Sequence, residues 1–301
     1  MDVGGQGART VTAPSVPAFA ERLCDDAAVF PPGLTPLPDA VLAHARHRKA
    51  DYAGFVGPLV LAAPSLAELG ALLAPGERLD LALTAPAGPA QAGAALALAR
   101  TMAVDVQAVE IAVPADAGVA RFFTELEQAR REAEAVTVYV EVPRDARGPE
   151  VIAALADTGH RAKFRTGGVK AVLYPGEAEL AAAITAVVGA GVAFKATAGL
   201  HHALRNTDPG TGFEQHGFLN LLLATHAALG GAEDKAVAAV LAERDADSVA
   251  AAIGDLGPVR AEAVRAAFVS FGTCSITEPL CELADLGLVS RALVSEEGDL
   301  E

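Results

Sequence analysis

The chain is short of cysteine, of positive charge and of long apolar runs, and each shortage removes a class of protein. Its three cysteines, Cys24, Cys274 and Cys281, are odd in number and widely spaced. They fit neither a disulfide framework nor a zinc-type spacing, and read as reduced thiols of a cytoplasmic protein. No stretch reaches eighteen apolar residues free of a charge or a breaker, so no membrane span is expected. The N-terminal Met-Asp-Val-Gly-Gly-Gln-Gly has no cationic region followed by an apolar core, so no secretory signal is expected. Lys and Arg total 23 against 38 Asp and Glu, a formal charge of -15 that keeps the protein soluble and repels nucleic acid. No HxH or HExxH pattern occurs, and no glycine fingerprint follows the first strand.

What is present is globular: 52% hydrophobic and 20% charged over 301 residues, enough for one barrel-like domain or two small ones. Composition does not shift sharply enough to divide the chain. Residues 1–15, rich in Gly, Thr, Ala and Pro, read as a loose arm, and residues 16–301 as one domain. Within it, strands are predicted at 25–32, 55–62, 79–84, 108–113, 136–142, 162–166, 192–197 and 267–271. Helices are predicted at 36–49 (capped by Thr35, with Pro36 first), 65–73, 88–103, 117–133, 148–158, 177–189 and 278–286. A long crossover at about 200–262 holds helical stretches near 213–229 and 233–252. Residues 169–174 read as a short extra strand or an extended loop over the mouth. Eight strands, each followed by a helical pattern, predict a single (β/α)₈ TIM barrel, with an open doubly wound sheet as the competitor.

Two strands stand out because cations sit inside apolar runs: Arg161-Ala-Lys-Phe-Arg-Thr-Gly-Gly168 and Val192-Ala-Phe-Lys-Ala-Thr-Ala-Gly-Leu-His-His202. Strand alternation puts Lys163 and Arg165 on one face and Lys195 and Thr197 on one face. Buried cations need an anionic partner, either a protein carboxylate or a bound substrate. In a barrel the C-terminal strand ends build the site. Glu110, Glu141, Lys163, Arg165, Thr166, Gly167, Gly168, Lys195, Thr197, Gly199, His201, His202, Gly272 and Thr273 then gather on one rim.

Each group has a plain reading beside its chemical one. Lys163 and Lys195 are salt-bridged core lysines, or amines that lower each other's pKa enough for one to attack a carbonyl. Glu110 and Glu141 neutralise those lysines, or move protons. Arg165 and the glycines are turn chemistry, or a clamp for phosphate or carboxylate. The loop 271–279 is a helix cap built on Thr277, or an anion subsite through Gly272 and Thr273. His201 and His202 point apart, so at most one serves the site. A metal site from His216 with Glu110 or Glu141 is disfavoured by the cations on the same rim. Cys274 has no obvious activating base. Asp26 and Asp80 are weaker acid candidates, with Asp80 near a strand start. The loop 206–212 reads as a lid or as a connector.

The strings Phe30-Pro-Pro32, Lys163-Phe-Arg-Thr-Gly-Gly168, Phe194-Lys-Ala-Thr-Ala-Gly-Leu-His-His202 and Ser270-Phe-Gly-Thr-Cys-Ser275 resemble a group of bacterial proteins of unassigned function. More loosely, the two lysine strands are similar to those of the deoxyribose-phosphate aldolase type of class I aldolase. That resemblance implies a covalent role for Lys163 and a pKa-tuning role for Lys195, although Arg165 stands where that family carries a small residue. The reading that follows is a Schiff-base lyase or aldolase for a small phosphorylated or carboxylated carbonyl compound, with no cofactor and no metal. Its alternatives are an isomerase or metal-assisted lyase using Glu110 and Glu141, and a non-catalytic ligand-binding barrel. The expected partner is a small anionic substrate, not nucleic acid or membrane; a homo-oligomer stays open.

Overall fold

The computed structural model describes residues 15–73, 78–131 and 135–294. The arm expected at 1–15 therefore lies outside the described residues except for Ser15. Eight parallel strands close into one barrel. In chain order these are β1 (Cys24–Asp26), β2 (Val56–Ala62), β3 (Leu79–Ala85), β4 (Val104–Ala112), β5 (Thr137–Glu141), β6 (Arg161–Arg165), β7 (Phe194–Thr197) and, after a small antiparallel hairpin β8 (Asn206–Thr207) and β9 (Glu214–Gln215), β10 (Phe268–Thr273). The order around the barrel is β1-β10-β7-β6-β5-β4-β3-β2, so the first and last strands pair and close it. The chain is a single (β/α)₈ TIM barrel.

The helices are α1 (Leu37–His47), α2 (Leu66–Leu69), α3 (Pro89–Ala99), α4 (Val119–Arg130), α5 (Gly148–Thr158), α6 (Glu177–Gly189), α7 (Phe218–Leu229), α8 (Asp234–Ala242), α9 (Ala246–Gly254), α10 (Gly257–Ala267) and α11 (Thr277–Asp285). Outward strand residues such as Ile111, Val140, Phe164 and Phe194 join the inner helix faces in one continuous core. Phe194 packs on Phe164 at 5.4 Å and on Phe268 at 5.1 Å between ring centroids. Each such buried side chain contributes about 1.5–3 kcal/mol, so this shell carries the fold. The bore is separate and holds Val60, Ala82, Ala108 and Tyr139, with Ala27 and Phe30 packed on them.

Several boundaries differ from expectation. The first strand stops at Asp26, far short of Pro32. Helix α1 has Pro36 as its N-cap with no side-chain cap, so Thr35 does not cap it. The stretch 65–73 gives only the four-residue α2. The crossover holds four helices because Asp245 accepts from the Ser248 amide and starts α9, while Gly257-Pro258 starts α10. Residues 169–174 form a loop with a 3₁₀ turn at Ala171–Leu173. The segment Ala171–Gly189 has the length and hydropathy of a membrane span, but Pro175-Gly176 breaks it. Helix α6 itself covers 13 residues, about 20 Å, and buries Leu180, Ala181, Ile184 and Val187.

Candidate active site

The parallel register sets the site. Glu141 lies beside Lys163, Lys163 beside Lys195, and Lys195 beside Ser270, while Glu110 lies beside Tyr139 one layer lower. Alternation turns these side chains into the bore, together with Asp25 of β1. Opposite them, Gly57 of β2 makes the space: a Cβ there would fall 2.1 Å from Asp25 Oδ1.

Six charges then alternate along one wall. Lys195 Nζ donates to Asp25 Oδ2 and to Glu110 Oε1, each at 2.5 Å. The other oxygen of Glu110 meets Lys163 Nζ at 3.0 Å, and Lys163 also meets Glu141 Oε2 at 3.2 Å. Arg165 Nε donates to Glu141 Oε1 at 3.0 Å. Ser270 Oγ donates to Asp25 Oδ2 at 2.8 Å. Three carboxylates face three cations, which is what the cost of burying any one of them requires.

The electrostatics follow. Burial works to raise the Glu110 carboxyl, but Lys195 and Lys163 outweigh it and hold it down to about 2. Burial also opposes the charge on Lys195, yet Asp25 and Glu110 prevail and hold its ammonium well above the ordinary lysine range. For Lys195 this corrects the expectation that its neighbouring lysine lowers its pKa: Glu110 stands between the two amines, and the nearer charge wins. Burial raises Asp25, against Lys195 and Ser270. Glu141 is lowered because Lys163 and Arg165 together exceed its burial.

The expected rim residues divide into three groups. Lys163, Lys195, Glu110, Glu141 and Arg165 meet in the network. Thr197 lies beside Arg165 and Gly272 in register, at the mouth. The loop residues do something else. Thr166 is fully buried and donates to the Ala198 carbonyl at 2.7 Å, so it ties the β6 and β7 loops. Gly167 and Gly199 are packing glycines: a Cβ on Gly167 would lie 2.8 Å from Gly199 Cα and 2.7 Å from the Tyr174 ring. Gly199 also holds φ 71°, a left-handed conformation that glycine adopts freely. A Cβ on Gly168 would meet Leu173 at 2.5 Å. These glycines allow the close packing within and between the β6 and β7 loops.

His201 and His202 do point apart. Burial lowers the His201 imidazole below its ordinary range, and its Nδ1 lies 3.5 Å from Thr273 Oγ1 and 3.6 Å from Cys274 Sγ over the end of β10. His202 Nδ1 instead pairs with Glu282 Oε1 on α11 at 2.6 Å, and Glu282 also accepts from the Ala203 amide. His202 therefore pins the β7 loop to α11, away from the network. His216 is buried with Nε2 donating to the Pro175 carbonyl at 2.8 Å, so it does not join Glu110 or Glu141. The amide near the start of α11 that donates to a hydroxyl is Glu278 to Ser275 Oγ, at 3.1 Å, which replaces Thr277 in the capping role. Asp26 turns outward to His44 Nδ1 at 2.9 Å, whereas Asp80 shares a face with Ala82 but sits at the N-terminal end of β3, 3.8 Å from Arg48, so neither joins the network. Among the described residues no three His, Cys, Asp or Glu side chains are grouped to hold a metal ion.

Sequence reasoning missed Asp25, Ser270 and Tyr139. The signal for Asp25 was the glycine at 57, which only a known strand pairing turns into evidence.

No family model and no curated protein matches the chain. Among solved structures it is similar to an archaeal fructose-1,6-bisphosphate aldolase whose catalytic lysine is covalently bound to the carbinolamine intermediate. There the TM-score is 0.38 and the identity 13%, over 76% of this chain and 96% of that one. It is also similar to an HpcH/Hpal aldolase/citrate lyase family protein from Burkholderia cenocepacia J2315, with TM-score 0.28 and 18% identity, over 60% of this chain and 81% of that one.

Proposed function

We propose that the barrel mouth is the active site of an aldolase-type Schiff-base lyase, with Lys163 as the amine and a small phosphorylated or carboxylated carbonyl compound as substrate. The observation that carries this reading is that Glu110 is divided between two lysines of unequal hold. Lys195 keeps both its carboxylates at 2.5 Å, whereas those of Lys163 stand at 3.0 and 3.2 Å. Both carboxylates of Lys163 are also shared with a second cation, Glu110 with Lys195 and Glu141 with Arg165. Lys163 is thus the more loosely held of the two amines, and Lys195 the fixed charge.

In this mechanism Glu141 Oε2 takes a proton from Lys163 Nζ, and the freed pair attacks the carbonyl carbon. A second proton passes from nitrogen to the new alkoxide. Glu141 then returns its proton to the departing hydroxyl, which leaves as water. Nitrogen keeps one of its three protons, and the iminium carries the same single positive charge as the ammonium it replaces. The wall stays balanced throughout, so the network that held the ammonium also holds the iminium. The iminium then accepts the electron pair of the breaking carbon–carbon bond, while Glu141, ionised again, takes the proton of the β-hydroxyl as that carbon becomes the carbonyl of the departing fragment. Arg165, with its side chain 40% exposed, presents its guanidinium to the phosphate or carboxylate.

The short contacts of Lys195 favour a second reading in which both lysines stay charged. The site would then only bind an anionic substrate, with Glu141 moving a proton in an isomerisation. Borohydride trapping with phosphorylated aldehydes and ketones, followed by intact mass and peptide mapping, separates the two. The Schiff-base reading expects an adduct on Lys163 that disappears in Lys163→Met. Arg165→Ala should cut adduct yield about tenfold for a phosphorylated aldehyde and little for its unphosphorylated analogue. No adduct on the native protein, or an adduct surviving in Lys163→Met/Lys195→Met, sinks the reading.

A further inference from the structure

The ion network rests on a floor that no acid or amine supplies. Tyr139 lies two residues before Glu141 on β5, beside Glu110 on one flank and Arg161 on the other. It is buried in one cluster with Val60, Ala82 and Ala108, against which Ala27 and Phe30 pack. Beside the two small alanines the phenol ring is the bulk of this layer, two residues along β5 below Glu141. Arg161 Nη1 donates to the Tyr139 hydroxyl at 3.1 Å, and its guanidinium carbon lies 5.7 Å from the ring centroid. From the other strand, Lys195 Nζ reaches to 5.4 Å from the same centroid.

An ammonium has three N–H donors. Two of those on Lys195 go to Asp25 and Glu110, and the ring face stands near the third. An aromatic face attracts a cation, and in a desolvated place the contact shifts an equilibrium by roughly thirtyfold. We propose that Tyr139 is a positioning residue whose ring face completes a cage around Lys195 Nζ. The cage keeps that amine a fixed cation, so that amine chemistry at the mouth falls to Lys163. The consequence for chemistry rests on the Schiff-base reading; the cage itself does not.

The test compares Tyr139→Phe, which keeps the ring face and loses the hydroxyl, with Tyr139→Leu, which loses the ring. Tyr139→Met stands in if the leucine variant does not fold. Each variant is labelled briefly with acetic anhydride, and the ratio of acetylated Lys195 to acetylated Lys163 is read by peptide mapping, with a thermal melt confirming the fold. The ratio should be low in the native protein and in Tyr139→Phe, and should rise about tenfold or more in Tyr139→Leu. A floor with a merely structural role would lower Tm and expose both lysines alike, leaving the ratio unchanged. An unchanged ratio in the leucine variant overturns the proposal, and so does a rise of equal size in the phenylalanine variant, which would assign the effect to the Arg161 contact. If acetylation behaves as expected while borohydride traps nothing on the native protein, the cage stands and the Schiff-base reading falls.

Discussion

Lys163 and Lys195 were legible as residues because an ammonium inside an apolar strand has few reasons to be there. Asp25, which completes their network, was not. Its neighbour Asp26 is the same residue type and as buried, and only strand parity tells which one faces the bore. The observed β1 is three residues long, too short to measure a two-residue period along. Gly57 settles the matter from across the pair, and it yields a test. In Gly57→Ala the new methyl would stand at 2.1 Å from Asp25 Oδ1 and 3.2 Å from its Cα. Asp25 must then leave Lys195, or the strands must part. We expect a loss of about 1–3 kcal/mol in chemical denaturation, typical of overpacking a filled site. Gly57→Ala should also make Lys195 more reactive toward acetic anhydride, which a change in β2 alone would not do. A variant as stable and as unreactive as the native protein would show that Asp25 is not held there.

Among the elements, β2, β3, β5, β6, β7, β10 and helices α5 and α6 could be placed within a residue or two, since each buries a face whose period the sequence displays; β1 ends six residues before its expected end, and β4 begins four residues before its expected start. The hairpin β8–β9 could not, because long-range partners hold it. Arg205 Nη2 pairs with Glu177 Oε1 on α6 at 2.7 Å and with Glu214 at 3.1 Å, and Arg244 joins Glu214 as well. His216 bonds the Pro175 carbonyl, and Phe213 packs against Tyr174 at 5.4 Å. Tyr174 in turn covers Gly167 and Gly199, so the hairpin is strapped to the loops that carry both lysine strands. This arrangement is closer to a clasp than to a free lid. Replacing Arg205 with alanine should cost about 1–3 kcal/mol and speed amide exchange both in residues 206–216 and in residues 171–177. Faster exchange confined to the hairpin would mean that it does not brace the β6 loop.

For the whole molecule, acid stability follows from which groups are held neutral and which charged. His216 is carried down to about 4, chiefly by burial, against about 6.5 in an unfolded chain. Between those values the unfolded state binds the extra proton, so stability falls as pH falls from 7 to 4, by up to about 3 kcal/mol. Burial lowers His201 as well, and it acts in the same direction. Glu110, held down to about 2, contributes stability above its unfolded value near 4.3 and loses it as pH falls from there toward 2. Asp25, raised by burial, opposes this by taking up a proton more readily when folded. Melts from pH 8 to 3 should therefore decline in two stages, and His216→Gln should flatten the upper one. A single decline below pH 4.5, identical in that variant, would contradict the assignment.

The closure of β1 against β10 also has a meaning in time. Lys195 is 170 residues from Asp25, and Ser270 is 245. A chain made at roughly 5–20 residues per second leaves the Asp25 carboxylate without its counter-ion for about ten to thirty seconds after its own synthesis, and without its hydroxyl for longer. The charged wall is thus among the last things the growing chain can assemble, and any chemistry it performs belongs only to a barrel that has already shut.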